Sequence, residues 1–307
     1  MLRFLGWSLL SLAVLRAEAP AEPLRLLAIG DWGWADPNLE REFPVVRKYA
    51  ALQRSVAAAM AKFAQAEKIK GIISVGDNFY PQGVTSVQDP RWVNSFEKVY
   101  QDPALQVPWY VALGNHDFDL NFQAQIDYSA QSKGHWVMPA RYFVQEFPEA
   151  ETRVIILDNC SLSPLWSLDY KTPAGQAFAQ KEWEWVEAEL AKPARWKIVV
   201  GHLPVRSHGL HGEDNIFAPR MAALLQKYGA QLYLNGHDHH AEVTKDHEVT
   251  YITCGNSADL YPVLSTRGAE FIDTYPGFTA LKIQPEALEY QMIDAEGRVR
   301  HRQVIKR

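Results

Sequence analysis

The sequence predicts an α+β chain, and three observations predict it. Apolar runs of strand length alternate with stretches of helical period through most of the chain. Five of those runs end in Gly followed by residues with oxygen or imidazole side chains. From Val249 onward the pattern changes to short strands separated by polar turns.

Leu24 to Ile29 is the first expected strand, closed by Gly30-Asp31-Trp32-Gly33. Val46, Tyr49, Leu52, Val56, Met60 and Phe63 then recur every three to four residues, as one face of a long helix does. Ile72 to Val75 is an apolar strand running into Gly76-Asp77-Asn78-Phe79-Tyr80. That loop offers a carboxylate, an amide and a phenol, all oxygen donors suited to hard cations. Asp89 to Tyr100 reads as a helix and Trp109 to Leu113 as a third strand, ending in Gly114-Asn115-His116-Asp117. Asp119 to Pro139 has no clean period and reads as a long loop of the kind that covers sites. Arg141 to Phe147 and Val154 to Asp158 read as paired strands, and Ser161 to Gly175 as a loop. Phe178, Trp185, Val186 and Leu190 fall on one helical face. Trp196 to Val200 is a strand ending in Gly201-His202-Leu203-Pro204. Met221, Leu224, Leu225 and Tyr228 mark a helix with Pro219 near its start and Gly229 as its stop. Leu232 to Leu234 leads into Asn235-Gly236-His237-Asp238-His239-His240.

Composition narrows the function classes. Lys and Arg number 31 against 36 Asp and Glu, a net charge of −5 with no basic stripe, which excludes a nucleic-acid footprint. The start reads as a secretory leader: Arg3, an apolar core from Leu5 to Leu15, and an Ala17-Glu18-Ala19 cleavage site. The expectation is therefore a signal peptide over 1–19, one domain over 20–307, and a secreted or periplasmic protein. An uncleaved interfacial anchor is the alternative, because the apolar core falls short of the ~20 residues a membrane span needs. Two cysteines, Cys160 and Cys254, cannot make a disulfide scaffold; they either pair or sit as two buried small hydrophobes. Asn159-Cys160-Ser161 fits the glycosylation pattern but directly follows an apolar strand.

A lone Asp after a strand usually caps a helix, and a lone His is usually a surface or satisfied histidine. Here five strand ends carry Asp31; Asp77 with Tyr80; Asn115 with His116; His202; and His237 with His239. Turn chemistry alone does not account for all five. The ordered set Gly-Asp-x-Gly, Gly-Asp-Asn-x-Tyr, Gly-Asn-His-Asp, Gly-His-x-Pro and Gly-His-x-His resembles the calcineurin-like metallophosphoesterases. Within them the chain is similar to the purple acid phosphatases, in particular the tartrate-resistant (type 5) ones. Most of the superfamily has Asp-x-His at the first motif; here Gly33 stands in the His place and Tyr80 can supply the missing ligand.

The resemblance implies a four-layer α/β/β/α sandwich of two mixed sheets holding two metals. Asp31, Asp77, Tyr80 and His239 would hold Fe(III). Asp77 would bridge to Fe(II) or Zn(II), with Mn(II) as a further option, completed by Asn115, His202 and His237. A hard ferric ion suits carboxylate and phenolate, while imidazole and amide suit the divalent ion. Three anionic ligands leave the metal pair net positive, which attracts a phosphate anion. The implied activity is that of an acid phosphatase on phosphate monoesters, by attack of a metal-bound hydroxide, with aryl or nucleotide phosphates and phosphoproteins as candidate substrates. His116 would protonate the leaving group. The loop after His202 is shorter than in the mammalian-type enzymes, so His208 and His211 compete for a second active-site histidine, and His208 is favoured. Asp117 and Asp238 would orient ligands, and His240 receives no role. Ser161 to Gly175 falls where the family carries a loop that can restrain activity. Trp32, Trp34, Phe79, Phe118, Phe122 and Trp136 read as packing around the motif loops. A monomer without stable membrane insertion is expected. The rival readings are a phosphodiesterase on the same scaffold and a secreted metal-binding protein without catalysis.

Overall fold

A computed structural model describes residues 22–167 and 169–307; the expected leader lies outside the described residues. Two seven-stranded sheets form the centre of the molecule. In the first, β1 (Leu24–Ile29), β2 (Gly71–Ser74), β3 (Trp109–Val111) and β4 (Trp136–Val137) run parallel. On the other side of β1, β12 (Gly277–Gln284), β13 (Ala287–Asp294) and β14 (Val299–Lys306) add an antiparallel meander. In the second, β6 (Thr152–Ile156), β7 (Trp196–Val200), β8 (Leu232–Asn235) and β10 (Val249–Cys254) run parallel. β5 (Phe143–Phe147) closes one edge, with β9 (Ala241–Asp246) and β11 (Phe271–Asp273) at the other, all antiparallel.

Both faces of the central strands are covered, so they read as unbroken apolar runs rather than alternating ones. Leu26, Ala28 and Ile73 of the first sheet meet Ile156, Ile198, Val200 and Leu234 of the second in the core between the sheets. The intervening residues Leu27, Ile29 and Ile72 face outward onto α2 (Pro44–Glu67). Ile155, Val199 and Tyr233 face outward onto α4 (Pro173–Ala191) and α5 (Phe217–Lys227). The result is the expected four-layer α/β/β/α sandwich. Two shorter α-helices complete the set among the described residues, α1 (Pro37–Glu42) and α3 (Gln123–Gln131).

Three local expectations need correction. The region from Asp119 to Pro139 is not an unstructured cover: it contains α3 and β4, and Trp136 is fully buried. Its mixed period conceals a helix of 9 residues that buries only Ala124 and Gln125, followed by a strand too short to alternate. Asp89 to Tyr100 forms only a π-helical segment at Trp92–Glu97. On α4 the buried face is Ala179, Trp183, Val186 and Leu190, while Phe178 and Trp185 pack outside against Tyr142. Cys160 and Cys254 are both buried and unpaired, one under α4 and one between the sheets.

The two parallel sets point their C-terminal ends to the same edge, where an α/β sheet presents its loops. Trp32, fully buried, braces that edge from below: its ring meets Phe79, Tyr100 and Trp109, and its Nε1 donates to Ser74 Oγ at 2.8 Å.

Candidate metal centre

Three of the five motif loops leave their strands through a backbone bend that side-chain-bearing residues seldom adopt. Asp31, Asp77 and His237 have φ of 58°, 51° and 69°, in the left-handed region that costs a non-glycine residue about 1 kcal/mol or more. Such strain persists where the surroundings over-determine it, and it clusters at functional sites. The adjoining glycines are steric necessities. A Cβ at Gly114 would lie 2.1 Å from Asp77 Oδ1, and one at Gly236 2.3 Å from Asp31 Oδ2.

The loops bring the seven predicted ligand residues to two neighbouring points. At the first, Tyr80 Oη lies 3.2 Å from Asp31 Oδ1, 2.8 Å from Asp77 Oδ2 and 3.1 Å from His239 Nε2. His239 Nε2 is also 3.2 Å from Asp31 Oδ1. At the second, His202 Nε2 lies 3.1 Å from Asn115 Oδ1, 3.2 Å from His237 Nδ1 and 3.4 Å from Asp77 Oδ2. Asp77 Oδ2 belongs to both. Six of the seven side chains are buried at 4% exposure or less.

The electrostatics say what the points want. His202 Nδ1 sits 3.1 Å from Val75 O, which accepts its proton. In a neutral ring Nε2 is then a lone pair facing an amide oxygen, a carboxylate and a second imidazole nitrogen. At the first point, with His239 likewise neutral and Nε2 its lone pair, a single hydroxyl proton confronts three acceptors. Too few protons for the lone pairs is the condition a bound cation relieves, and the donor set fits one at each point. In its absence the rings compete for protons. Burial drives His202 down, but the Asp77 carboxylate outweighs it and holds the ring up at about 9. His239, likewise buried, is carried up to about 10 by Asp31 and Asp259. His237, buried and beside His202 and His211, is pushed well below the ordinary range. Tyr80 is pushed well above its own by burial and by the Asp77 and Asp31 charges.

The remaining predicted residues fall into distinct places. His116 flanks the site: its backbone N donates to Asp77 Oδ1 at 2.9 Å, its Nδ1 is 2.7 Å from Pro81 O, and its Nε2 is 4.0 Å from Asp77 Oδ2. His208 does not join the cluster. Glu242, buried beneath the loop, takes its Nδ1 at 2.6 Å and its backbone N at 3.0 Å. His211 is the histidine this loop turns inward, its ring 4.3 Å from that of His237. Asp238 sets that turn by accepting His211 N at 2.8 Å and Gly212 N at 3.1 Å. Asp117 takes Gly114 N at 2.8 Å and Gln125 Nε2 at 2.7 Å beneath the centre. Burial and the nearby Asp77 push it up to about 7. Asn78 faces away, bonding Ser74 Oγ and Ala112 O. His240 is buried against Glu242 at 2.7 Å.

Sequence reasoning missed three contributors. Trp166, from the 161–175 loop, packs edge-on to His237 at 4.2 Å. Tyr261 stacks on His239 at 4.0 Å. Asn159 accepts His202 N at 2.8 Å. Only the last had a readable signal: Asp158-Asn159 follows an apolar strand as Asp77-Asn78 does.

A mixed two-sheet sandwich with Asp, Asn, His and Tyr side chains gathered at one edge is the form of a metal-dependent phosphoesterase. The calcineurin-like phosphoesterase family matches residues 24–241, and the chain belongs to it. It is similar to tartrate-resistant acid phosphatase type 5 of Oryctolagus cuniculus, 32% identical over 95% of each chain. It is also similar to purple acid phosphatase 17 of Arabidopsis thaliana, 28% identical over 91% of this chain and 83% of that one. Among solved structures, the yellow lupin purple acid phosphatase PPD1 superposes with a TM-score of 0.65 at 17% identity, over 94% of this chain and 55% of its own. GAP50, the anchor in the inner membrane complex of Plasmodium, superposes with 0.78 at 24% identity, over 92% and 89%. The fold is shared by proteins of different roles, so function must be argued from the site.

Proposed function

We propose that the chain is an acid phosphatase that hydrolyses phosphate monoesters at a two-metal centre. The observation that carries this reading is the surplus of lone pairs at two points sharing Asp77 Oδ2. Asp31, Asp77, Tyr80 and His239 would hold a ferric ion; Asp77, Asn115, His202 and His237 would hold a divalent ion, iron or zinc, with manganese as an alternative. When bound, such a pair clamps the phosphoryl group, offsets its charge and activates water for attack.

The chain's own residues supply the rest. His116 keeps its Nδ1 on Pro81 O and turns Nε2 toward the site, 35% of its side chain exposed. From there it gives a proton to the departing oxygen of the ester, a step worth about 10²–10⁴-fold. His211, rather than His208, is the second histidine we assign to the phosphoryl group, because its ring lies on His237. A leader over 1–19 would export the enzyme. No helix among the described residues is long and apolar enough to cross a membrane.

The test is metal analysis and a visible spectrum of purified protein, followed by turnover of a nitrophenyl monoester and the bis-ester at acid pH. About two metals per chain, a purple band that Tyr80→Phe abolishes, and preference for the monoester are expected. Preference for the bis-ester would instead make the chain a phosphodiesterase, and two bound metals without turnover a binding protein.

A further inference from the structure

The end of β6 carries no predicted ligand, yet it is built as carefully as the ends that do. Asp158 caps the 3₁₀ turn Asn159–Leu162 through Ser161, its backbone N donates to the buried Glu182 at 2.8 Å, and its carboxylate holds Arg141 at 2.6 Å. Asn159, fully buried, points the other way. Its Oδ1 accepts His202 N at 2.8 Å and Leu203 N at 3.1 Å. Its Nδ2 donates to Leu203 O and to Tyr233 Oη, both at 2.9 Å. Tyr233 Oη in turn donates to Leu203 O at 2.8 Å. Both lone pairs and both N–H groups of the amide are therefore spent on one dipeptide and its support. Space is closed as well, since a Cβ at Gly201 would sit 2.6 Å from Asn159 Nδ2.

We propose that Asn159 is a positioning residue for His202. His202 is pinned at two ends, its backbone N–H by Asn159 Oδ1 and its ring by Val75 O at Nδ1. Only Nε2 remains, aimed at Asn115, His237 and Asp77. Groups that orient a ligand from behind alter metal affinity about 10–100-fold when removed. The proposal also disposes of the glycosylation pattern: an amide with all four bonds made in the interior offers no nitrogen to modify.

The inference rests on the two-cation reading, and its test separates the two. In a chelator competition, Asn159→Ala should release one of the two bound metals about 10–100-fold more readily and leave the other, and its colour, in place. Tyr233→Phe, which removes the hydroxyl that accepts from Asn159 Nδ2 and donates to Leu203 O but leaves the two bonds to Asn159 Oδ1 in place, should act in the same direction more weakly. It decides the matter if Asn159→Ala does not fold. Equal loosening of both metals, or of neither, overturns the proposal. If the wild-type chain takes up no metal, the phosphatase reading fails. Amide hydrogen exchange of the metal-free protein then decides alone: His202 and Leu203 should be protected in the wild type and exposed in Asn159→Ala while β7 stays protected. Unchanged protection there overturns the role of Asn159.

Discussion

The two points of the centre are held by different means. At the oxygen-rich point the rings are fixed by packing: Trp34 stacks on Tyr80 at 4.5 Å with 6° between planes, and Tyr261 on His239 at 4.0 Å with 10°. At the nitrogen-rich point His202 is fixed by hydrogen bonds to Val75 and Asn159. The contrast is sharpest between Tyr80 and His202, and the chemistry of those two side chains explains it. A phenol has one polar atom, and once that atom faces the site nothing polar remains to orient the ring, so neighbours must do it by contact. An imidazole has a second nitrogen, and a backbone carbonyl can take it. Packing resists bending but yields gradually, whereas a lost hydrogen bond leaves a buried group unsatisfied at about 1–3 kcal/mol.

The comparison breaks completely at Asp77, the residue both points share. Asp77→Ala should empty both and lower monoester turnover by about 10³-fold or more, since a single transition-state donor is already worth about 10²–10³-fold. Retention of one metal with substantial turnover would mean that the points are independent. His116→Ala leaves both points intact. It should cut alkyl phosphate turnover by about 10²–10⁴-fold and nitrophenyl phosphate turnover far less, because only the poor leaving group needs the proton. Equal losses on the two esters would remove His116 as the acid. Trp34→Leu probes the packed point alone and should give a smaller change. Loss of the stack, about 0.5–1.5 kcal/mol beyond area, should broaden or shift the tyrosine band while leaving the divalent ion bound.

Most of the centre was legible in the sequence because its constraints are local. Asp31, Asp77, Tyr80, Asn115, His202, His237 and His239 all lie within a few residues of an apolar run, and the glycines in front of them are demanded by close approach. The fold class was legible for a related reason: strands buried on both faces read as unbroken apolar runs. What failed depended on contacts distant in the chain. His208 and His211 are equivalent to a reader of the sequence, and the choice between them is made by Glu242 and Asp238 on the far side of β8. Trp166 and Tyr261 reach the site from loops without period. Asn159 was passed over because no glycine precedes it and it sits in a glycosylation pattern. The helix within Asp119 to Pro139 was hidden because only Ala124 and Gln125 of it are buried, too few to leave an apolar stripe.

The smallest effect, and the one that separates the two points most finely, is the pH dependence of the metal-free protein. His202 and His239 are raised by folding, to about 9 and about 10. Each therefore contributes stability that is fully present below about 6.5, the ordinary histidine value, and is lost as pH rises through 9 and 10. His237 is lowered by burial and by the neighbouring imidazoles, so it opposes folding once pH falls below about 6.5, where the unfolded chain would protonate it. The metal-free melting temperature should thus pass through a maximum between about 6.5 and 9 and fall on both sides. His237→Asn should flatten the acid side only, and His202→Asn the alkaline side only. Bound metals hold the same lone pairs without protons, so the alkaline decline should vanish on loading while acid loosens the metals. An alkaline decline that persists in the loaded protein would place its cause outside the centre.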